Sequence, residues 1–209
     1  MNMRRVVLFI IILLQITFFT EGYGIFSPID TSEMSDTLHA TLLRQHAIKT
    51  IPPGNYSGIT YLGDDDYAVV SDKGSQEGFF TFHITLTENG EIKRVDNKGF
   101  TPLPGANLDE EAVAYNPTTH HLYIGNEAPS EIIDYDMERK KVVNSTIIED
   151  YRQRSKVNRS IESLTYDHKR NRLFTINESP LTGDNGLLLR LKQLTTDLKE
   201  EKQFSYLID

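Results

Sequence analysis

The sequence predicts an all-β protein, a β-propeller built from four-stranded antiparallel blades of about 50 residues, with about three blades present and the ring incomplete. Three observations predict it. One pattern recurs: YSGITYLGDDDYAVVSD from Tyr56, DEEAVAYNPTTHHLYIGNE from Asp109 and IESLTYDHKRNRLFTINE from Ile161, with Tyr61, Tyr115 and Tyr166 spaced by 54 and 51 residues. Each copy reads as a hairpin. An alternating run (Glu162, Leu164 and Tyr166 on one face, Ser163 and Thr165 on the other) meets a polar turn and then a β-branched and aromatic run such as Leu173 to Ile176. The minor face of the first strand is always small (Gly58 and Thr60, Ala112 and Ala114, Ser163 and Thr165), as strands crowded around an axis require.

The elements follow in order. Met1 to Gly22 has the pattern of a secretory signal peptide: Arg4 and Arg5, an apolar run from Val6 to Phe19 interrupted by Gln15 and Thr17, then small residues. The run is short for a membrane span, although an uncleaved N-terminal anchor is the alternative. Residues 23–42 read as a lead-in. A strand is expected from Leu43 to Ile51, stopped by Pro52, Pro53 and Gly54. The first blade is expected as Ser57 to Tyr61, Tyr67 to Ser71, Phe79 to Leu86 and Ile92 to Phe100, with a turn at Glu88 to Gly90. The second continues through Glu131 to Tyr135 and Lys141 to Ile148, and the third through Gly186 to Leu194 and Lys199 to Ile208. Residues 43–209 thus form one propeller domain. Three blades do not close a ring, and a further copy of the pattern would begin just past Asp209. The expectation is an N-terminal portion of a longer protein, or a ring closed by association.

Composition narrows the function. The net charge of −8 and the lack of a basic patch exclude nucleic acid as the expected partner and suit cation binding. The chain has no cysteine, which excludes thiol catalysis, a lipid-anchor cysteine and a disulfide framework. No Gly-x-Ser-x-Gly elbow occurs, and His120 and His121 fall in a hairpin turn. Four Asn-x-Ser/Thr patterns, at Asn55, Asn144, Asn158 and Asn177, fit the glycosylation acceptor pattern, which is common by chance.

The chemistry falls at the open ends of the hairpins. Glu111 and Glu127, and likewise Glu162 and Glu178, are symmetric about their turns, so an antiparallel pair would set them about 5 Å apart at Cβ. Like charges so placed need a partner, and a hard cation such as calcium or an Arg supplies one. The bland reading is solvated strand ends with ordinary salt bridges. Ser57 and Asp72 hold these places in the first copy. Arg190 alternates with Leu189 and Leu191, and faces either solvent or the acidic mouth.

The segments IPPGNYSGITYLGDDDYAVVSDK (Ile51 to Lys73), DEEAVAY (Asp109 to Tyr115), IESLTYDHKRNRLFTINESPL (Ile161 to Leu181) and LRL (Leu189 to Leu191) resemble the phytase-like β-propellers, the esterase-like activity of phytase family. The resemblance implies an exported hydrolase, periplasmic or extracellular, acting on a small-molecule ester or phosphomonoester with a divalent cation, calcium first, at the channel mouth. It implies Asp72, Glu111, Glu127, Glu162 and Glu178 as metal ligands. Glu111, Glu162 and Arg190 become catalytic candidates, and Lys73, Asn158 and Arg190 substrate contacts. A lactonase-type esterase is a variant within the enzyme class. The rival class is a non-catalytic propeller whose mouth binds a ligand or protein, with structural acids.

Overall fold

The structure, a computed structural model, describes residues 42–43 and 48–208. The expected signal segment and the lead-in, apart from Leu42, lie outside the described residues. Among the described residues no helix is long and apolar enough to cross a membrane.

Three four-stranded sheets carry the pattern, each an antiparallel meander in chain order. The first holds β1 (Tyr56–Gly63), β2 (Asp66–Ser71), β3 (Gly78–Leu86) and β4 (Ile92–Pro102). The second holds β5 (Glu110–Asn116), β6 (His121–Asn126), β7 (Glu131–Asp136) and β8 (Lys141–Ile147). The third holds β9 (Ile161–Asp167), β10 (Arg172–Asn177), β11 (Leu188–Thr195) and β12 (Glu200–Leu207). These are the expected blades, with strand ends moved by one or two residues, and the described residues form no closed ring. Residues 48–84 and 94–209 make one compact unit. Thr85–Lys93 falls outside it and is by itself a turn: Thr87 N–H donates to the Glu91 carbonyl at 2.8 Å, and its hydroxyl accepts from Glu91 N–H at 3.1 Å.

Inner strands β1, β5 and β9 pack side by side, which explains their small residues. A Cβ on Gly58 would stand 3.0 Å from the Glu111 carbonyl oxygen and 3.1 Å from the Val113 nitrogen. One on Gly125 would stand 2.9 Å from Ile161 Cγ2. The core lies between sheets, where apolar faces are buried against each other. Ala68, Val70, Phe79, Val113 and Ile124 fill the first seam, and Ala112, Tyr123, Ile132, Ile161 and Leu173 the second.

Two features depart from the sequence reading. The expected strand from Leu43 to Ile51 is not one: Leu43 and Ile48 to Ile51 have no strand geometry, and residues 44–47 lie outside the described residues. A strand exists only through a backbone ladder. Here Thr50 is tied instead by its side chain, whose hydroxyl donates to the Val95 carbonyl. The second departure is helix α1 (Glu149–Arg154), too short for a helical period to be read from its residues. It is set by Tyr151, fully buried in the second seam, whose hydroxyl donates to the carbonyls of Thr175, at 3.3 Å, and Arg190.

Candidate functional site

A bulge stands at the same place in all three inner strands. Tyr56 opposes Ser71 and Gly58 opposes Val70, which leaves Ser57 extra. Glu110 opposes Asn126 and Ala112 opposes Gly125, which leaves Glu111 extra. Ile161 opposes Asn177 and Ser163 opposes Ile176, which leaves Glu162 extra. A bulge turns its extra side chain away from the regular alternation. The residue just past each second strand is fixed in the same way: Asp72, Glu127 and Glu178 donate their backbone N–H to the carbonyls of Asn55, Asp109 and Ser160 at 3.0, 2.8 and 2.9 Å.

The bulges change which acids meet. Glu162 and Glu178 come together across their hairpin as expected, but Glu111 and Glu127 do not share a group. Asp72, Asp109 and Glu111 form one group, and Glu127, Glu162 and Glu178 the other. Within each group, one carboxylate oxygen per residue lies within 4.8 Å of the others. Each group therefore joins one blade to the next. Asn158 links the two: with its amide nitrogen turned to the carboxylates, it donates to Asp109 Oδ2 at 2.5 Å and Glu127 Oε2 at 3.3 Å. Asp109 and Asn158 hold left-handed backbone, φ 67° and 56°, which Asp and Asn tolerate better than other side chains.

Lys73 enters the first group, donating to Asp109 Oδ1 at 2.7 Å and standing 3.3 Å from Asp72 Oδ2. Arg159 donates to Glu178, and Ser160 N–H to Glu127 Oε1 at 2.8 Å. Asp72 Oδ1 is buried and accepts no hydrogen bond. Burial, and then the charges of Glu162, Asp72, Asp109 and Glu127, push the Glu111 carboxyl up to about 7. Burial comes first again in raising Glu127 and Glu162, with like charges adding to it. The groups thus favour a bound proton or cation.

Arg190 joins neither group. It forms a two-pronged pair with Asp184, Nε to Oδ2 at 2.7 Å and Nη2 to Oδ1 at 2.9 Å, and Arg154 reaches the same carboxylate at 2.5 Å. The Arg190 hydrogen bond, with Arg154 adding to it, holds Asp184 down at about 2. Four charged residues near the acids were not singled out from the sequence: Asp109, Arg159, Glu77 and Glu110. Glu110 is only 1% exposed; its Oε1 accepts from Gly78 N–H at 2.6 Å and its Oε2 from Asn107 at 2.8 Å. Burial pushes it up to about 8, with Glu77 adding and the Gly78 bond opposing. Glu77 accepts from Asn126 at 2.6 Å. The usable signal was the run Asp109 to Glu111, since three consecutive acids on an alternating strand cannot all face outward.

The family model described as Phytase-like: Esterase-like activity of phytase matches residues 51–209. No curated protein matches the chain. Among solved structures, a protein from Lactobacillus plantarum is 15% identical over 80% of this chain and 48% of that one, with a TM-score of 0.49. Hydrazine synthase of Kuenenia stuttgartiensis is 11% identical over 78% and 39%, with a TM-score of 0.45. The Cps50 (Swd1) β-propeller domain of Myceliophteria thermophila is 12% identical over 76% and 40%, with a TM-score of 0.40. The chain thus spans less than half the length of each of these three.

Proposed function

The chain belongs to the phytase-like family, and on that premise we propose that it is an exported propeller hydrolase cleaving an ester or phosphomonoester bond at the two acidic groups. The observation that carries the reading is the convergence of six carboxylates from three blades into two groups, each with oxygens within 4.8 Å. The donors are all oxygen, which fits a hard divalent cation such as calcium. Glu127, Glu162 and Glu178 are the better ligand set, because Lys73 contacts two acids of the other group, Asp72 and Asp109, whereas Arg159 contacts only Glu178 in this one. A cation held there supplies Lewis-acid polarisation and a more acidic bound water. Asp72 and Glu111, expected as ligands, then serve the proton chemistry. Glu111, with its carboxyl near neutrality, takes a proton from water and passes it to the leaving alcohol oxygen. Water oxygen bonds to the acyl carbon or phosphorus, and the ester C–O or P–O bond breaks. Asn158 orients the acids between the groups, and Lys73 offers charge to an anionic substrate oxygen. Arg190, spent on Asp184, acts through the fold.

Hydrolysis of 4-nitrophenyl acetate and 4-nitrophenyl phosphate by the full chain, with calcium and with chelator, tests this. The double change Glu111→Gln with Glu162→Gln abolishes turnover and leaves melting cooperative. Turnover that survives it contradicts the site. A folded chain that binds no cation and cleaves neither ester supports the rival class, a binding propeller. The internal pairing of Lys73 and Arg159 with the acids favours that rival. Export rests on the Met1 to Gly22 pattern, and N-terminal sequencing of protein recovered outside the cytoplasm checks it.

A further inference from the structure

We infer that a cavity of about 370 Å³ beside the first acidic group seats an aromatic ring of the substrate, so that the ester is one of an aromatic acid or a phenol. The inference rests on the hydrolase reading above and names the substrate class for it. Tyr56, Phe80 and Phe100 make one wall, while Ser71, Lys73 and Glu110 supply polar lining. The Phe80 ring stands 4.9 Å from Phe100, tilted by 54°, and 5.7 Å from Tyr56, edge-on at 88°. A further ring would join this cluster edge-on or tilted, the arrangements aromatic pairs favour. Phe100 is 38% exposed, whereas Phe82, which packs on Tyr56 and Phe80, is 3% exposed, so the cluster is buried at one end and open at the other.

The cavity is joined to the acids by its own lining. Lys73 lines it and donates to Asp109. Glu110 lines it and stands between Asp109 and Glu111 in sequence. Both Glu110 oxygens are already occupied, by Gly78 N–H and Asn107, so this carboxyl is a fixed part of the wall. Gly78 can donate this way because its backbone has φ 145°, and a Cβ there would fall 2.3 Å from the Thr101 carbonyl oxygen. The volume sits at the low end of ligand sites, roughly 300–1,000 Å³. One lysine among carboxylates does not balance several phosphates, so a ring-bearing monoester fits and a polyphosphate does not.

The test uses acetanilide, an uncleavable aryl amide, titrated into the full chain by calorimetry, together with turnover of phenyl acetate and ethyl acetate. Phe100→Leu, with Phe80→Leu as a second variant, should weaken acetanilide binding and lower the phenyl-to-ethyl preference in kcat/KM about tenfold. Both variants still melt cooperatively. Acetanilide binding that is absent, or untouched by both changes, overturns the cavity assignment even if ester hydrolysis persists. Binding that both changes weaken, in a chain that cleaves no ester, keeps the ring site and defeats the hydrolase reading.

Discussion

Glu110 and Glu111 are neighbours in sequence with opposite duties. Glu110 is walled in, and Glu111 is turned by its bulge toward other acids. The buried member sets a pH dependence. An unfolded Glu titrates near 4.3, while Glu110 is pushed up to about 8 and Glu77 is also raised. The folded chain therefore binds more protons between those values, and stability falls as pH rises through that window. In chelator, the Tm should be higher at pH 5 than at pH 8, and Glu110→Gln should reduce the difference. A Tm that rises from pH 5 to pH 8 would contradict this. Asp184 works with the opposite sign. Held down at about 2 by Arg190 and Arg154, it adds stability that is present above its ordinary value of about 4 and is lost as pH falls toward 2. Asp184→Asn should lower the Tm at pH 7 and flatten the acid limb, which thermal melts from pH 2 to 7 would read. The repeat made Glu111, Glu127, Glu162 and Glu178 legible. Asp109 and Glu110 were not, because a period of two says that neighbours face opposite ways but not which face is buried. Arg190 could be read as turned from its leucines. Its partner Asp184 lies in a loop whose course depends on contacts with α1.

At the scale of the element, the three bulges bring the acids of neighbouring blades together. Nothing in the residue types announces them: the extra residues are Ser57, Glu111 and Glu162, none a glycine. Hairpin symmetry therefore pointed to four of the six clustered acids, but the Glu111 and Glu127 pairing it implied is replaced by pairing across blades. The close approach of inner strands was legible from the small residues, and it carries a prediction. Gly58→Ala puts a methyl against the Glu111 carbonyl and Val113 nitrogen, backbone atoms that cannot swing aside. It should cost about 1–3 kcal/mol by overpacking and, on the proposed reading, slow ester hydrolysis by displacing Glu111, as urea melts and turnover of 4-nitrophenyl acetate would show. Helix α1 was illegible because six residues are too few for a period, and its fixture is one tertiary residue. Tyr151→Phe removes the hydroxyl's bonds to Thr175 and Arg190 and should cost about 1–2 kcal/mol. Tyr151→Ala should cost about 3–5 kcal/mol through the cavity it leaves. Equal losses for the two changes would contradict the packing role.

For the molecule as a whole, the repeat of Tyr61, Tyr115 and Tyr166 predicted three blades, and three four-stranded sheets are present. Strand order was legible because a meander with short polar turns has few alternatives. The acidic groups form only between blades, since each takes one residue from one hairpin and two from the next. A chain with net charge −8 that concentrates six carboxylates in this way should gain stability from whatever cation it holds. The most direct measurement is a calcium titration of the full chain followed by both Tm and ester hydrolysis, beside the Glu111→Gln and Glu162→Gln double variant. The account predicts that calcium raises the Tm and switches on hydrolysis in the parent chain and does neither in the variant. A parent chain that is folded, cleaves ester at full rate in chelator and shows no shift with calcium would contradict it.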